Sequence, residues 1–248
     1  MENENIKRTV ILLSCIEDEK NGIGYVYSEE DGKILKQIFS ELNCRFSSNY
    51  QYLAELSCLN IVGAGEIYAK YIKSISSQIV RAYLVHQIVS DRVSDVDKLI
   101  LDLYISFKHS PEYISNPYFP SEIYDNAFRR LKPKRLKKEL TALVQNPKDA
   151  YLMPFTVRML ASWKAPNIKD LLMSFLDSSN INFDRFGTDE EQDPSLLSYA
   201  RQQLKFDAIY GLRYYGDPKP IKVFCDSSDQ DISLSAKKSL EYIENHSK

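Results

Sequence analysis

One junction recurs along this chain and constrains its fold more than any other feature. An apolar helical stretch ends in aromatic residues, a short break follows, and a proline opens the next helix. Leu160–Leu172 has this form around Pro166, and Leu212–Ile221 repeats it around Pro218. Proline suits the start of a helix because that position leaves its N–H unpaired in any case. The repetition predicts a series of helices joined by tight turns.

The last of these helices shows the clearest amphipathic spacing. Apolar or small residues fall at Ile232, Ala236, Leu240 and Ile243, with charged residues between them. This spacing of three or four residues is that of one helix face. Glycine, which β-rich folds need for tight turns, accounts for only 8 of 248 residues. The sequence therefore predicts an all-α fold.

Two consecutive phrases near the end of the chain resemble a known repeat family. "GDPKPIKVF" resembles the first helix of a HEAT repeat and "DISLSAKKSLEYI" the second, although Ser233 stands where the family usually has Arg. The resemblance is clearest over 202–245, fair over 134–178, and rhythmic only over 66–107. It implies a right-handed α-solenoid of antiparallel helix pairs that share one core. It implies no particular activity.

The domain organisation follows from this interpretation. We expect a single HEAT-like domain over 1–248, with less regular helices in 1–60. Segment 110–120 contains three prolines among aromatic residues and predicts a packed loop. Segment 179–194 is polar and acidic, and predicts a loop insertion. That insertion explains why 52 residues separate Pro166 from Pro218, against a repeat period of about 40–47.

Metal and covalent chemistry have no pattern in this sequence. The three histidines, His86, His109 and His246, lie far apart and lack the spacing of metal ligands. The four cysteines include no C-x-x-C pair. We therefore predict no metal site, no cofactor and no enzymatic activity.

The run Arg129–Lys138 carries seven cations in ten residues. It is either a solvated helix face or an anion site formed by part of the run. The candidate anion-binding residues are Arg129, Arg130, Lys134, Arg135 and Lys138. If a helix begins near Pro133, cations in its first turns are mildly unfavourable, and an anionic partner would offset this. That partner is either the chain's own acidic insertion or a nucleic acid.

A nucleic-acid-binding or DNA-repair-type enzyme is thus the alternative function. Some HEAT-like proteins are DNA glycosylases, which resemble one another in a basic concave surface lined with Trp, Arg and Asp. This chain has one tryptophan, Trp163, and a net charge of −2. Because no overall positive field attracts a polyanion, we do not expect nucleic acid as a partner.

Protein binding is the leading functional prediction. The candidate partner-binding residues are Asp184, Asp189, Glu190, Glu191, Asp193, Tyr214 and Tyr215. Tyrosine is favoured at interfaces, and carboxylates steer a cationic partner. Together with the chain's size, these residues predict a non-catalytic protein-binding solenoid, specifically an immunity protein that neutralises a basic bacterial toxin such as a nuclease.

The N-terminus bears on localisation. Lys7 and Arg8 precede an apolar run that ends at Cys15, as in a lipoprotein signal. The run is shorter than the ~7–15 residues that such a signal needs, and Glu2 and Glu4 oppose its basic character. No other stretch approaches the ~20 apolar residues of a membrane span. We predict a cytoplasmic protein without a membrane partner.

Overall fold

The computed structural model describes residues 8–10, 28–46, 61–115, 117–177 and 194–246. These residues divide into two compact units, Met1–Glu112 and Tyr113–Lys248, and each unit is described by itself below. The single domain over 1–248 stays a prediction.

Helices make up nearly all of the regular structure in the described residues, which confirms the predicted all-α class. In chain order the elements are β1 (Arg8–Val10), α1 (Glu29–Glu41), β2 (Cys44–Phe46), α2 (Gly65–Tyr71), α3 (Gln78–Ser90), α4 (Asp97–Lys108), α5 (Pro111–Ser115), α6 (Tyr118–Leu131), α7 (Lys137–Leu143), α8 (Pro147–Leu152), α9 (Pro154–Ser162), α10 (Ile168–Leu176), α11 (Pro194–Leu212), α12 (Lys219–Lys222) and α13 (Gln230–His246). Short 3₁₀ turns span Ile72–Ser74, Lys134–Leu136 and Arg213–Tyr215. The two strands form one short parallel pair.

The first unit is built on α1 to α4. Helix α1 starts where Ser28 Oγ accepts a hydrogen bond from Asp31 N at 3.1 Å, and it buries Leu35, Ile38 and Phe39 completely. Helix α2 packs against α1 and α3, and α3 packs against α4.

Two carboxylates in this unit tie one helix to the start of another. The buried Asp31, on α1, accepts hydrogen bonds from Ser76 N at 2.6 Å and Ser77 N at 2.9 Å, the two residues just before α3. The half-buried Asp91, which follows α3, accepts from Gly65 N at 2.8 Å, the first residue of α2. The first N–H groups of a helix have no intrahelical partner, and Asp91 satisfies the first of them in α2. Both carboxylates thus fix the position of a helix start.

The loop expected at 110–120 is instead helical. Pro111 begins α5, Pro117 is the N-cap of α6, and Pro120 lies in the first turn of α6. All three prolines thus stand at or beside a helix start, where the missing N–H costs nothing. The prediction was wrong because it counted the prolines without considering their positions.

A proline also separates α8 from α9. Met153, just before Pro154, leaves helical geometry with φ −130° and ψ 53° and ends α8, so α9 begins separately. The residue before a proline is disfavoured in the helical region, which explains the break. Asn146 caps the start of α8, since its side-chain oxygen accepts a hydrogen bond from Asp149 N at 2.8 Å.

The second unit is held together by a chain of neighbouring helices. Helix α9 packs against α6 and α11, α10 packs against α11, and α13 packs against α11 and α12. A Cβ on Gly211 would lie 2.8 Å from Leu172 Cδ1 and 3.4 Å from Ala161 Cβ, so glycine allows α11 to approach α10 and α9 closely. The right-handed solenoid arrangement stays a prediction.

Candidate functional site

The basic run begins at the end of one helix and continues into the next. Arg129 and Arg130 lie in the last turn of α6, where a cation interacts favourably with the helix dipole. Lys134 and Arg135 form a 3₁₀ turn, and Lys138 lies at the start of α7. The helix start expected near Pro133 is therefore present, preceded by one 3₁₀ turn.

Lys137, in the same run, has a structural role. Its Nζ donates to Trp163 O at 2.8 Å and lies 3.5 Å from Lys164 O. These carbonyls directly follow α9, whose last C=O groups have no intrahelical partner. This cation thus caps the end of α9 and is taken up by the chain itself.

A groove of about 470 Å³ borders the first half of the run, and we call it the arginine groove. Its lining consists of Arg129, Lys132, Phe155, Arg158, Met159, Ser162, Trp163, Tyr210 and Tyr214. It therefore lies where the end of α6, helix α9 and the end of α11 meet. Arg129 and Lys132 are exposed at this groove, whereas Arg158 is half-buried.

Aromatic rings hold the guanidinium groups of this region in place. The Arg129 guanidinium lies 4.7 Å from the centroid of the Phe155 ring. The Arg158 guanidinium lies 4.9 Å from the Tyr210 ring, and that of Arg213 lies 3.6 Å from the same ring. Cations over ring faces are attracted by the ring quadrupole, which fixes their orientation and leaves their N–H edges for hydrogen bonding.

Asp207 neutralises Arg158. Arg158 Nε donates to Asp207 Oδ1 at 2.8 Å, and Arg158 Nη2 donates to the same oxygen. Asp207 is only 1% exposed. Burial raises the pKa of Asp207 above its ordinary value, although the charge and hydrogen bonds of Arg158 oppose this shift. Breaking such a buried pair is costly, so Asp207 anchors Arg158 in the fold.

A second groove, of about 760 Å³, borders the other half of the run. Its lining consists of Arg135, Lys137, Lys138, Thr141, Ala142, Gln145, Pro166 and Asn167. Two of the predicted anion-binding residues, Arg135 and Lys138, line this second groove. A third, Arg129, lines the arginine groove. The structure thus divides three residues of the predicted set between two grooves, and Arg130 and Lys134 line neither of these grooves.

Three tyrosines of the second unit form a separate surface, which we call the tyrosine face. Tyr118 and Tyr199 are 40% and 57% exposed. The Tyr118 and Tyr151 rings meet edge to face at 6.3 Å. Burial, with smaller contributions from Tyr118 and Tyr199, raises the pKa of Tyr151 to about 12. The three rings are therefore neighbours, and Tyr151 stays neutral at physiological pH.

A shallow groove of about 290 Å³ continues the tyrosine face. Its lining consists of Tyr199, Gln202, Gln203, Phe206, Asp231 and Ile232. The exposed Asp231 and the exposed Tyr199 thus line the same groove. Sequence reasoning missed these residues, although an aromatic residue at the exposed position of Tyr199 was a usable signal.

The two tyrosines chosen from the sequence have different environments. Tyr214 lines the arginine groove, with its ring 5.4 Å from that of Tyr242. Tyr215 lies elsewhere, and burial raises the pKa of its hydroxyl, which has no hydrogen-bond partner in the described part of the chain. The predicted acidic residues Asp184, Asp189, Glu190, Glu191 and Asp193 lie outside the described residues.

Strongly perturbed carboxylates often mark catalytic sites, but here they hold helices. Asp125, on α6, is fully buried and accepts from Phe155 N at 2.9 Å, Thr156 N at 2.7 Å and Thr156 Oγ1 at 2.6 Å. It thereby caps α9. Burial raises its pKa to about 7, although these hydrogen bonds oppose the shift. Asp149 is also buried, and it accepts hydrogen bonds from the Tyr113 hydroxyl and from Asn146 Nδ2.

No group of three or more His, Cys, Asp or Glu side chains in the described residues is arranged to hold a metal ion. No helix among them has the length and apolar character needed to cross a membrane.

Comparison of the chain with models of known protein families, with curated proteins and with solved structures found no match.

Proposed function

We propose that this protein is a non-catalytic, HEAT-like helical scaffold that binds a cationic protein through the tyrosine face. The supporting observation is the 57% exposure of Tyr199, which lies near Tyr151 and Tyr118 and lines one groove with the exposed Asp231. A clustered set of exposed aromatic residues on a folded unit is typical of an interaction surface.

The chemistry of this surface suits lysine and arginine side chains. A cation over an exposed tyrosine ring gains about 0.5–1 kcal/mol, and more when it is desolvated. The carboxylate of Asp231 adds an opposite charge at the edge. The acidic insertion ends directly before α11, the helix that carries Tyr199, so its carboxylates would add to the attraction of a basic partner.

A non-catalytic role is supported by how the buried carboxylates are used. Asp125 is occupied by three hydrogen bonds at the start of α9, and Asp207 by the guanidinium of Arg158. A general acid or base must reach a substrate proton, and these two carboxylates are directed into the fold. Neutralisation of a basic toxin such as a nuclease is a narrower form of the same proposal.

Site-specific photo-crosslinking tests the proposed function. A photoreactive amino acid replaces Tyr199 in one variant and Lys237, on the exposed side of α13, in a matched control. We expect position 199 to crosslink one basic protein in cells, and position 237 to crosslink none. The identity of that protein decides whether the partner is a toxin. Equal crosslinking at the two positions, or an acidic partner at position 199, would contradict the proposal.

A further inference from the structure

We propose that the arginine groove is a second docking site, which binds an acidic segment of a protein through its carboxylates. The proposal concerns Arg129 and Lys132 and is independent of the tyrosine face. The occupant follows from charge complementarity and from the way in which the guanidinium of Arg129 is held.

The charge of the groove is positive and uncompensated. Arg129 and Lys132 are both exposed, and neither is paired with a carboxylate of the described residues. The third cation, Arg158, is neutralised by Asp207 at the base of the groove. Two cations therefore remain at the groove for an incoming anion, in a chain whose net charge is −2.

Arg129 is preorganised for this role. Its guanidinium stacks 4.7 Å from the Phe155 ring centroid, and its Nη2 donates to Asn126 Oδ1 at 3.0 Å. These two contacts fix the plane of the guanidinium, and its other N–H groups remain for a ligand. A planar guanidinium held in this way matches the two oxygens of a carboxylate. Because less side-chain entropy is lost on binding, the affinity improves.

Lys132 is also held at a defined point. It takes the left-handed conformation with φ 47° at the end of α6, and its N–H donates to Phe128 O at 2.8 Å. The turn therefore fixes the backbone from which the Lys132 side chain extends, three residues after Arg129. Two cations at this spacing suit neighbouring acidic side chains of one extended segment.

The rings of the groove favour a peptide over a nucleic acid. Binding of single strands uses aromatic faces on which bases stack. Here Phe155, Tyr210 and Tyr214 each have a guanidinium over the ring at 4.7, 3.6 and 4.9 Å. Only Trp163, among the four rings of the lining, has no such cation in the described structure. A guanidinium thus already covers three of the four rings, and these three rings orient cations and do not stack on bases.

Fluorescence anisotropy with the full chain tests this site. The probe is a short fluorescein-labelled peptide of alternating Glu and Ser at low ionic strength, with the Gln-for-Glu peptide as its neutral match. The groove variant is Arg129→Gln with Lys132→Gln. The control variant is Lys237→Gln with Lys238→Gln, which removes the same charge from the exposed side of α13. Circular dichroism melting verifies that each variant is folded.

We expect saturable binding of the acidic peptide and none of the neutral one. The groove variant should weaken binding at least about tenfold, because buried or oriented charge pairs contribute more than 1.4 kcal/mol. Arg129→Lys should weaken it about threefold, since the point charge stays but the planar fork is lost. The control variant and Tyr199→Ala should bind like the wild type.

Three results would overturn the proposal. They are the absence of saturable binding, equal loss in the groove and control variants, and tighter groove-dependent binding of an oligothymidine than of the acidic peptide. The last result would favour the nucleic-acid alternative. Because Tyr199 lies outside the groove, none of these results bears on the tyrosine face.

Discussion

The cap that Asp125 places on α9 gives a quantitative prediction. Replacing Asp125 with Ala leaves three buried donors without an acceptor, namely Phe155 N, Thr156 N and Thr156 Oγ1. Each such donor costs about 1–3 kcal/mol, and partial relaxation reduces the total. We expect Asp125→Ala to lower the free energy of unfolding by about 3–5 kcal/mol.

Asp125→Asn separates the titration of this group from its packing. The amide keeps the size and one acceptor oxygen but cannot ionise. Burial raises the folded-state pKa of Asp125 from 3.8 to about 7. A group whose pKa is raised by folding stabilises the fold when it is protonated. This stabilisation is complete at a pH below the unfolded-state pKa, and it is lost as the pH rises through the folded-state pKa. At about 1.4 kcal/mol per pKa unit, the loss amounts to about 4 kcal/mol.

The assay is urea unfolding followed by the fluorescence of Trp163. This is the only tryptophan of the chain, and it directly follows α9, so it reports on the unit that contains Asp125. Between about pH 5 and pH 7, the stability of the wild type relative to Asp125→Asn should fall by about 2–3 kcal/mol. Glu241→Gln is the control, because Glu241 is exposed on α13 of the same unit and should change stability by less than about 1 kcal/mol. A difference that is constant or grows with pH would refute the reasoning.

Three further predictions concern the backbone, the packing and the acidic insertion. Arg92 is exposed and has φ 57°, so Arg92→Gly should relieve left-handed strain and raise the free energy of unfolding by about 0.5–1 kcal/mol, measured by urea unfolding. Lower stability of this variant would contradict that. Gly211→Ala forces a methyl group to within 2.8 Å of Leu172 Cδ1, and should cost about 1–3 kcal/mol in the same assay; a neutral result would show that α10 can shift. Neutralising Asp189, Glu190, Glu191 and Asp193 together should leave the melting temperature within a few degrees and slow association with the partner several-fold at low salt. Lost stability with unchanged association would retire that role for the insertion.

Local patterns in the sequence predicted several of the helices. The amphipathic spacing at Ile232–Ile243 and the junction at Pro218 both correspond to helices in the structure. The break at Pro154 and the helix starts at Pro111 and after Pro117 depend on whether each proline stands inside a helix or at its start. Sequence rhythm alone does not decide this, because the start of a helix is fixed by its tertiary contacts as well.

The candidate sites were harder to predict because each one combines distant segments. The sequence drew attention to Arg129 within the basic run, to Trp163 and to Tyr214 for separate reasons. Their convergence in one groove depends on the packing of α6 and α11 against α9. The inter-helix caps pose the same problem, since Asp125 and Thr156 are 31 residues apart. Such pairings are set by the three-dimensional arrangement and leave no short-range pattern.

Charged residues in the second unit have two roles: buried carboxylates hold helices in place, and exposed cations line the arginine groove. Asp125 and Asp207 are buried, and their hydrogen-bond partners hold α9 at its start and at Arg158. Helix α9 also carries Phe155, the ring on which Arg129 rests. Weakening the Asp125 cap should therefore disturb the Arg129 guanidinium as well as the fold, because Phe155 N is one of the capped groups. The buried carboxylates thus hold α9 in place, and the proposed ligand binds the exposed cations beside it. Because the stabilising effect of Asp125 is present at acidic pH and lost towards neutral pH, Asp125→Asn should weaken binding of the acidic peptide, relative to the wild type, more at about pH 5 than at pH 7. Tyr199→Ala should leave that binding unchanged at either pH.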